Sequence, residues 1–436
     1  MAPKVKPGQL GMATPFGELL GNSDWEMNQQ LQDYVDLGVD WVRIDIHWSL
    51  VQPNRDGGFN WNLVDKVFNA IDAKGIKITA VLNNTPDWVG STLSSHADQQ
   101  AFGRFAAAAA ERYDNVVNHW EILNEQNKHG ITPENYTEVL KASYNAIKAV
   151  DSNDTVITGG TAAIPSTDGR FWGAVDYLQK MYDAGAGGHF DAVGYHPYTF
   201  PLFPSDNQSW NGWQIMEDGI RKTMVDHGDG DKQIWMTEYG AKTLGGGVTV
   251  SHGDQARMLR EAVDLAEDQP WAGPIMWFSY KDSNFEPGFG LRDGNGNPRE
   301  AYWAFQDLGN KDGGPAPDSN GSQGGNRESA PGDLAGSAGA DAFVFTEATT
   351  RNAIGSWDKG DVIDLRAIDA NEGRWGNQGF DFVGSKWLKN AGDLGVYVDH
   401  VQNKTYIQGM VDNDGDIDLN IVLNGTHQLT ASDFML

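Results

Sequence analysis

The feature that most constrains this chain is a rhythm repeated eight times. Short β-branched or apolar runs, bounded by Gly, Asn or Pro, alternate with amphipathic stretches of helical period. The runs fall near residues 9–13 (QLGMA), 40–46 (DWVRIDI), 76–82 (IKITAVL), 116–123 (VVNHWEIL), 155–160 (TVITGG), 191–196 (DAVGYH), 233–238 (QIWMTE) and 273–279 (GPIMWFS). Between them lie WEMNQQLQDYVDLG, WNLVDKVFNAIDAKG, ENYTEVLKASYNAIKAV and GDQARMLREAVDLAED, whose apolar residues recur at helical spacing. Eight such units predict a (β/α)8 TIM barrel over residues 1–310. A doubly wound sheet is the competing arrangement. It usually has fewer units and often a Gly-rich phosphate loop, and no such loop follows the first strand.

Residues 311–340 (KDGGPAPDSNGSQGGNRESAPGDLAGSAGA) carry Leu334 as their single large apolar side chain. Such a stretch cannot bury enough surface to offset its ordering entropy and reads as a flexible linker. Residues 341–436 then alternate apolar and polar positions over short runs (ADAFVF, DVIDL, GVYVD, TYIQGM, IDLNIVL) with Gly, Asp and Asn turns between them. The expected architecture is therefore α/β: a barrel, a linker and a small all-β C-terminal domain.

Charge and composition remove several function classes. Lys+Arg number 32 against Asp+Glu 60, a net charge of −28, which repels phosphate backbones and anionic lipid. Neither nucleic-acid binding nor membrane insertion is expected, since no apolar run approaches the ~18–20 residues of a span. With no cysteine, disulfides, thiolate zinc sites and cysteine nucleophiles are all excluded. The N-terminal MAPKVKPGQLGMATPF lacks the apolar core of a signal peptide. No HExxH, P-loop or complete dinucleotide fingerprint occurs, so the chemistry is expected to need no cofactor.

A barrel of this kind builds its chemistry at the C-terminal ends of its strands. Those ends present Arg43, Asn124, Glu125, His196, Tyr198, Glu238 and Trp277. Glu125 and Glu238 stand on the fourth and seventh strands, which suits glycoside hydrolysis: one carboxyl protonates the leaving oxygen while the other attacks or activates water. Trp48, Trp88, Trp277 and the loop pair Trp210 and Trp213 are suited to stacking on sugar faces. Glu121 reads as a buried hydrogen-bonding partner, His47 and His119 as structural, and Trp41, Trp120 and Trp235 as core.

The segments WEILNEQN (120–127), GYHPY (194–198) and IWMTEYG (234–240) resemble signatures of clan A retaining glycosidases. With VRIDIHWSLVQP (42–53) and PIMWFSYKD (274–282), the match most resembles bacterial members of glycoside hydrolase family 39, with family 5 close. The resemblance implies Glu125 as general acid/base and Glu238 as nucleophile. It also implies Asn124 on the substrate 2-hydroxyl, Arg43 orienting Glu238, His196 and Tyr198 beside the nucleophile, and Trp277 flooring the subsite of the reacting sugar. One departure is Gln126, where the family commonly has Pro. The expected activity is that of a retaining endo-β-glycosidase acting on a cell-surface or extracellular polysaccharide. An exo-acting β-xylosidase or β-glucosidase, or a non-catalytic glycan-binding protein, is the alternative. A strongly anionic substrate would require Arg43, Lys128, Lys281 or Arg292 to offset the acidic field.

The C-terminal SAGADAFVF, GDVIDL, VDNDGDIDLNIVLNG and LTASDFML resemble the terminal module of serralysin-type secreted proteases, with the calcium-binding repeats reduced to a remnant around Gly339 and Asp341. The resemblance implies a secreted monomer exported by type I machinery. Asp412, Asp414, Asp416 and Asp418 offer hard oxygen ligands for a structural calcium ion, although a solvated acidic turn fits them equally. Trp357, Trp375 and Trp387 offer a rival reading of this domain as a carbohydrate-binding module.

Overall fold

The eight apolar runs form one closed parallel sheet. In the computed structural model the strands are β1 (Leu10–Ala13), β2 (Trp41–His47), β3 (Lys77–Asn83), β4 (His119–Ile122), β5 (Thr155–Thr158), β6 (Ala192–His196), β7 (Gln233–Tyr239) and β8 (Ala272–Trp277). Each pairs in parallel with its neighbours, β8 returns to β1, and Ile157 of β5 meets Ala192 of β6 to close the ring. The structure describes residues 9–15, 18–167, 171–283, 286–309, 327–329, 333–334, 341–346, 348, 352–371, 373–374, 378–386, 388–399, 403–413 and 416–436.

Helices follow the strands: α1 (Asp24–Asp36), α2 (Asn62–Asp72), α3 (His96–Tyr113), α4 (Pro133–Val150), α5 (Ala174–Asp183), α6 (residues 212–226, with a π-helical segment Ile215–Arg221), α7 (His252–Glu267) and α8 (Glu300–Gly309). Their starts are written locally. Ser23, Ser95, Thr132 and Ser251 accept from backbone N–H groups of the first turns, and Ser23 with Glu26 closes a full capping box. At the end of α1, Gly38 adopts φ +73°, and a Cβ there would lie 2.6 Å from the Gly309 backbone. Only glycine satisfies both conditions.

Strand alternation sorts the apolar side chains into two cores. Val42, Ile44, Trp120, Ile122, Ile234 and Trp277 pack outward against the helices. Ala13, Trp41, Ile157, Trp235 and Met276 fill the barrel interior, where His119 lies against the rings of Trp41 and Trp235. The interior is thus plugged by the rings of Trp41, Trp235 and His119, and the carboxylates Glu121, Glu125 and Glu238 lie above them, toward the strand C-termini.

The chain divides into two units, Met1–Gly294 with Pro298–Ala316, and Asn295–Asn297 with Pro317–Leu436. The second is all-β, as expected, but its strands run mostly in parallel. Arg327–Ser329, Ala342–Val344, Val362–Asp364 and Phe434–Met435 form one sheet, and consecutive strands before residue 365 alternate between it and a second. The second sheet runs Asp333–Leu334, Asn352–Ile354, Leu419–Asn424, Lys404–Gly409, Asp393–Asp399 and Asp381–Gly384, with antiparallel pairs among its later strands.

The expected boundary at 341 therefore differs from the structure. Strands Arg327–Ser329 and Asp333–Leu334 lie inside the stretch read as linker, and Leu334 is buried with Phe343, Ile354 and Leu423. Pairing uses backbone groups that Gly, Ser and Pro content conceals, and one leucine suffices to anchor a two-residue strand. Most other residues of 311–340 lie outside the described ones.

Candidate active site

Arg43, the third residue of β2, organises the barrel mouth. It is buried, and its guanidinium donates four hydrogen bonds. Nε (2.6 Å) and Nη2 (3.0 Å) reach the carboxylate of Glu121, Nη1 reaches Glu238 Oε1 (2.8 Å), and Nη2 also reaches Asn124 Oδ1 (2.7 Å). Burial works against its charge, but Glu121 and Glu238 more than compensate and push its pKa above the usual arginine value. Glu121 is fully buried and also accepts from Gly160 N–H (2.8 Å) and Thr237 Oγ1 (3.2 Å). It is a structural anion that fixes Arg43, as its place on β4 suggests.

Glu238 reaches the mouth through a break in alternation. Thr237 points inward to Glu121, so regular pleating would turn Glu238 outward. The β7–β8 ladder shifts register between Met236 and Tyr239, and this irregularity re-aims Glu238 over the barrel axis. Both carboxylate oxygens are then held, Oε1 by Arg43 and Oε2 by the Tyr198 hydroxyl (3.0 Å). Burial, with the charge of Glu238 next in weight, drives the Tyr198 pKa well above the usual phenol value, so its hydroxyl remains a donor.

Glu125 sits just past β4 on strained backbone. Leu123 and Glu125 have φ of 66° and 47°, a region non-glycine residues avoid at a cost of ~1–3 kcal/mol each. The strain is contained by Leu123 N–H to Leu82 O (3.0 Å) and Glu125 N–H to Gly160 O (2.9 Å). Gln126, where proline was expected from the resemblance, is fully buried and donates from Nε2 to Gly159 O (3.0 Å). A hydrogen bond thus supplies the stiffness a proline ring would have given. His196 lies against Gly160, where a Cβ would fall 2.2 Å from Nε2, and directs Nδ1 at Glu125 Oε1 (3.3 Å). Lys128, one turn on, forms an ion pair with the other Glu125 oxygen. Burial is the largest influence on Glu125 and raises its pKa. The His196 hydrogen bond and the charges of His196 and Lys128 together outweigh it, bringing the carboxyl down to about 2.

One oxygen each from Glu125 and Glu238 and a ring nitrogen of His196 lie within 4.8 Å of one another. This is the one metal-compatible group among the described residues, but two cations, Arg43 and Lys128, already face it. Its chemistry is that of paired carboxylates. Two cavities meet at the pair. One of about 670 Å³ is lined by Thr14, Pro15, Glu18, Arg43, Asp45, Asn124, Ser283, Glu286 and Phe278. The other, about 330 Å³, is lined by Lys128, Ala162, Ala163, Ile164, Tyr198, Phe200, Phe289, Glu286 and Phe278. Both volumes lie in the range of ligand pockets. Asp45 is pushed up to about 6 by burial, which Arg43 and an Asn83 hydrogen bond only partly oppose. Burial likewise takes Glu18 up to about 7.

The structure brings Arg43, Asn124, Glu125, His196, Tyr198 and Glu238 together and excludes most of the tryptophans from the mouth. Trp277 is fully buried in the outer core, edge-on to Tyr239; it cannot floor a subsite. Its neighbour Phe278 lines both cavities instead, since adjacent strand residues face opposite sides. Trp48 is fully buried and stacks on Phe105. Trp213 is buried beside Tyr239, Trp210 is 59% exposed, and Trp88 borders a different cavity. Asp45 was missed, although alternation from Arg43 through Asp45 along β2 points to it. Phe278, Phe289 and Glu286 come from strand-end and loop geometry that no local pattern announces.

In the C-terminal unit, Asp418 Oδ2 accepts from Val411 N–H (2.7 Å), which closes a turn. Among the described residues, Asp412, Asp416 and Asp418 do not form a group with ligand atoms in mutual reach, and Asp414 lies outside those residues. Trp357 stacks on Phe343 at 5.9 Å; Trp375 and Trp387 lie outside the described residues. No helix among the described residues is long and apolar enough to cross a membrane.

Comparison with known proteins places this geometry. The family model described as "Cellulase (glycosyl hydrolase family 5)" matches residues 4–282. Beta-glucosidase 6 of Oryza sativa subsp. japonica is 30% identical over 146 residues, covering 30% of this chain and 28% of that protein. Among solved structures, a family 39 glycoside hydrolase from the gut symbiont Bacteroides cellulosilyticus WH2 aligns with a TM-score of 0.56 at 20% identity, over 71% of this chain and 65% of its own. A monomeric beta-xylosidase from Caulobacter crescentus CB15 gives 0.54 at 19% identity, over 71% and 69%. At such identities the likeness to family 39 is one of fold. The chain spans little more than a quarter of the rice enzyme it matches.

Proposed function

This chain belongs to glycosyl hydrolase family 5, and on that premise we propose that it is a retaining β-glycosidase acting by double displacement within a cell-surface or extracellular polysaccharide. The observation that carries the mechanism is the approach of the Glu125 and Glu238 carboxylates to within 4.8 Å. Retention requires about 5–5.5 Å between carboxyl groups, whereas an inverting site needs about 6.5–9.5 Å to admit water. Glu238, fixed at both oxygens, attacks the anomeric carbon while Glu125, which takes up a proton from solvent when the entering leaving group displaces the Lys128 ammonium that holds it ionised, protonates the departing oxygen. Glu125 then takes a proton from water as the glycosyl–enzyme bond is broken, and the sugar leaves with its configuration retained. Asn124 Oδ1 accepts from Arg43 Nη2, which leaves its Nδ2 donors for the sugar.

The larger cavity, with Arg43 and Asn124 beneath the nucleophile, is assigned to the glycone, and the smaller, with Lys128 beside Glu125, to the leaving group. Space on both sides of the pair supports cleavage inside a chain. The second reading, an exo-acting β-xylosidase or β-glucosidase, draws on the names of the rice and Caulobacter relatives. Product analysis on β-linked hexasaccharides separates them: internal cleavage yields mixed short products from the start, terminal cleavage only monosaccharide. The mechanism is tested by Glu238→Ala, which should lose about 10⁴-fold or more in kcat, with azide restoring turnover and giving an inverted glycosyl azide. Wild-type rates in Glu125→Ala or Glu238→Ala overturn the assignment and favour a non-catalytic glycan-binding protein. On the C-terminal likeness we also propose type I export, for which deletion of residues 341–436 should abolish release into the medium of a host carrying such an exporter.

A further inference from the structure

We propose that a second cavity, on the rim formed by the loops after β2 and β3 and the start of α3, binds a carboxylate-bearing sugar unit of a polysaccharide. The cavity holds about 330 Å³, as much as the smaller catalytic one, and shares no lining residue with either catalytic cavity. Its wall is Trp88, and the ring is fixed in place. Trp88 Nε1 donates to Gln52 O (3.2 Å), its ring stands perpendicular to that of buried Trp48 at 5.1 Å, and it is half-buried at the cavity. An indole fixed in the cavity wall, with Arg55 5.5 Å from its ring, offers apolar surface beside a guanidinium for a pyranose to pack against.

The polar groups around this platform are cationic. Arg55 sits 5.5 Å over the Trp88 ring and donates Nη2 to Trp88 O (3.1 Å), and Arg104 projects from α3 into the same cavity. Both are exposed, and neither has an ion-pair partner among the described residues. The one acid in the lining, Asp98, receives Gly90 N–H at 3.4 Å. The cavity wall itself carries two arginines and one aspartate, while Asp56 and Asp87 adjoin Arg55 and Trp88 in a chain of net charge −28. At physiological ionic strength charges beyond about 8 Å are largely screened, so a ligand seated in the cavity meets the two guanidiniums that line it at short range. A guanidinium fork pairs bidentately with a planar carboxylate, and the indole in the same wall packs against a sugar ring; together they favour a uronate. The catalytic cavities have the opposite character, with Glu18, Asp45 and Glu286 around the glycone space. The second cavity would thus anchor an acidic unit of the polymer while a neutral unit is cleaved.

The test uses the full chain carrying Glu238→Gln, so that hydrolysis does not interfere, titrated calorimetrically with trigalacturonate and with its methyl ester. Expected is saturable binding of the acid that Arg104→Ala weakens by about tenfold or more, ~1.4 kcal/mol, while the uncharged ester binds as weakly to both chains. Arg55→Ala should act in the same direction. In the otherwise wild-type chain, Arg104→Ala should leave hydrolysis of an aryl β-glycoside unchanged, which separates this site from the catalytic reading. Equal affinity for acid and ester, or equal affinity of Arg104→Ala and its parent for the acid, overturns the proposal. So does absence of trigalacturonate binding to the parent.

Discussion

Replacing Lys128 with methionine removes the cation that holds Glu125 ionised, and it should move the pH at which the first chemical step fails. The ammonium contacts one Glu125 oxygen directly, and the two side chains are 40% and 12% exposed. Unit charges about 4 Å apart interact with ~4 kcal/mol at an effective dielectric of 20. With Lys128 this open to water, screening reduces the figure to ~1–1.5 kcal/mol, or about one pKa unit. On the proposed mechanism Glu125 must carry a proton to serve as acid, so kcat/KM falls as pH rises through its free-enzyme pKa, which its partners hold down at about 2. Lys128 lowers that pKa; its removal should shift the basic limb of the profile upward by about one unit. Lys128→Arg keeps the charge and should keep the limb. A 2,4-dinitrophenyl glycoside, whose leaving group departs without protonation, should show no such shift. A folded Lys128→Met enzyme whose basic limb coincides with the wild type on a poor leaving group refutes the argument.

Phe278→Ala should lower kcat/KM by about tenfold or more with little change in thermal midpoint, whereas Trp277→Ala should cost about 3–5 kcal/mol of stability; activity assays beside calorimetric melts distinguish the two. Arg43→Met leaves Glu121 buried without its cation and should destabilise by about 3–5 kcal/mol. Adding Glu121→Gln should recover part of that loss in chemical denaturation, because the two residues form one network. Glu18, whose carboxyl burial raises to about 7, binds its proton more tightly in the native than in the unfolded chain. Its stability contribution is therefore full below pH ~4.5 and is lost as pH rises toward 7, up to ~3 kcal/mol. Glu18→Gln should flatten urea-derived stability over that window, and an unchanged slope would show that Glu18 does not titrate there.

The barrel was legible in the sequence because its information is local. Every βα unit writes its own apolar strand and amphipathic helix, several with a capping Ser or Thr, and eight successive units leave few alternatives to a closed ring. Glu125 and Glu238 were legible because a barrel strand end is a predictable address. The tail's all-β character could be read from alternation, but parallel pairing and the early strand at Asp333–Leu334 could not, since backbone pairing leaves little mark on Gly- and Ser-rich sequence.

What the sequence by itself determined, then, was the order of elements and the two carboxylates. What only the tertiary structure decided was which way side chains face and what they touch. A register irregularity on β7 turns Glu238 inward, and pleating on β8 buries Trp277 and exposes Phe278 to the cavities. Trp48 was equally plausible as a sugar platform until Phe105 and Trp88 closed around it. A tryptophan carries the same apolar surface wherever it occurs. Whether that surface meets a sugar or a neighbouring helix depends on contacts between residues far apart in the chain, which no local window of sequence contains.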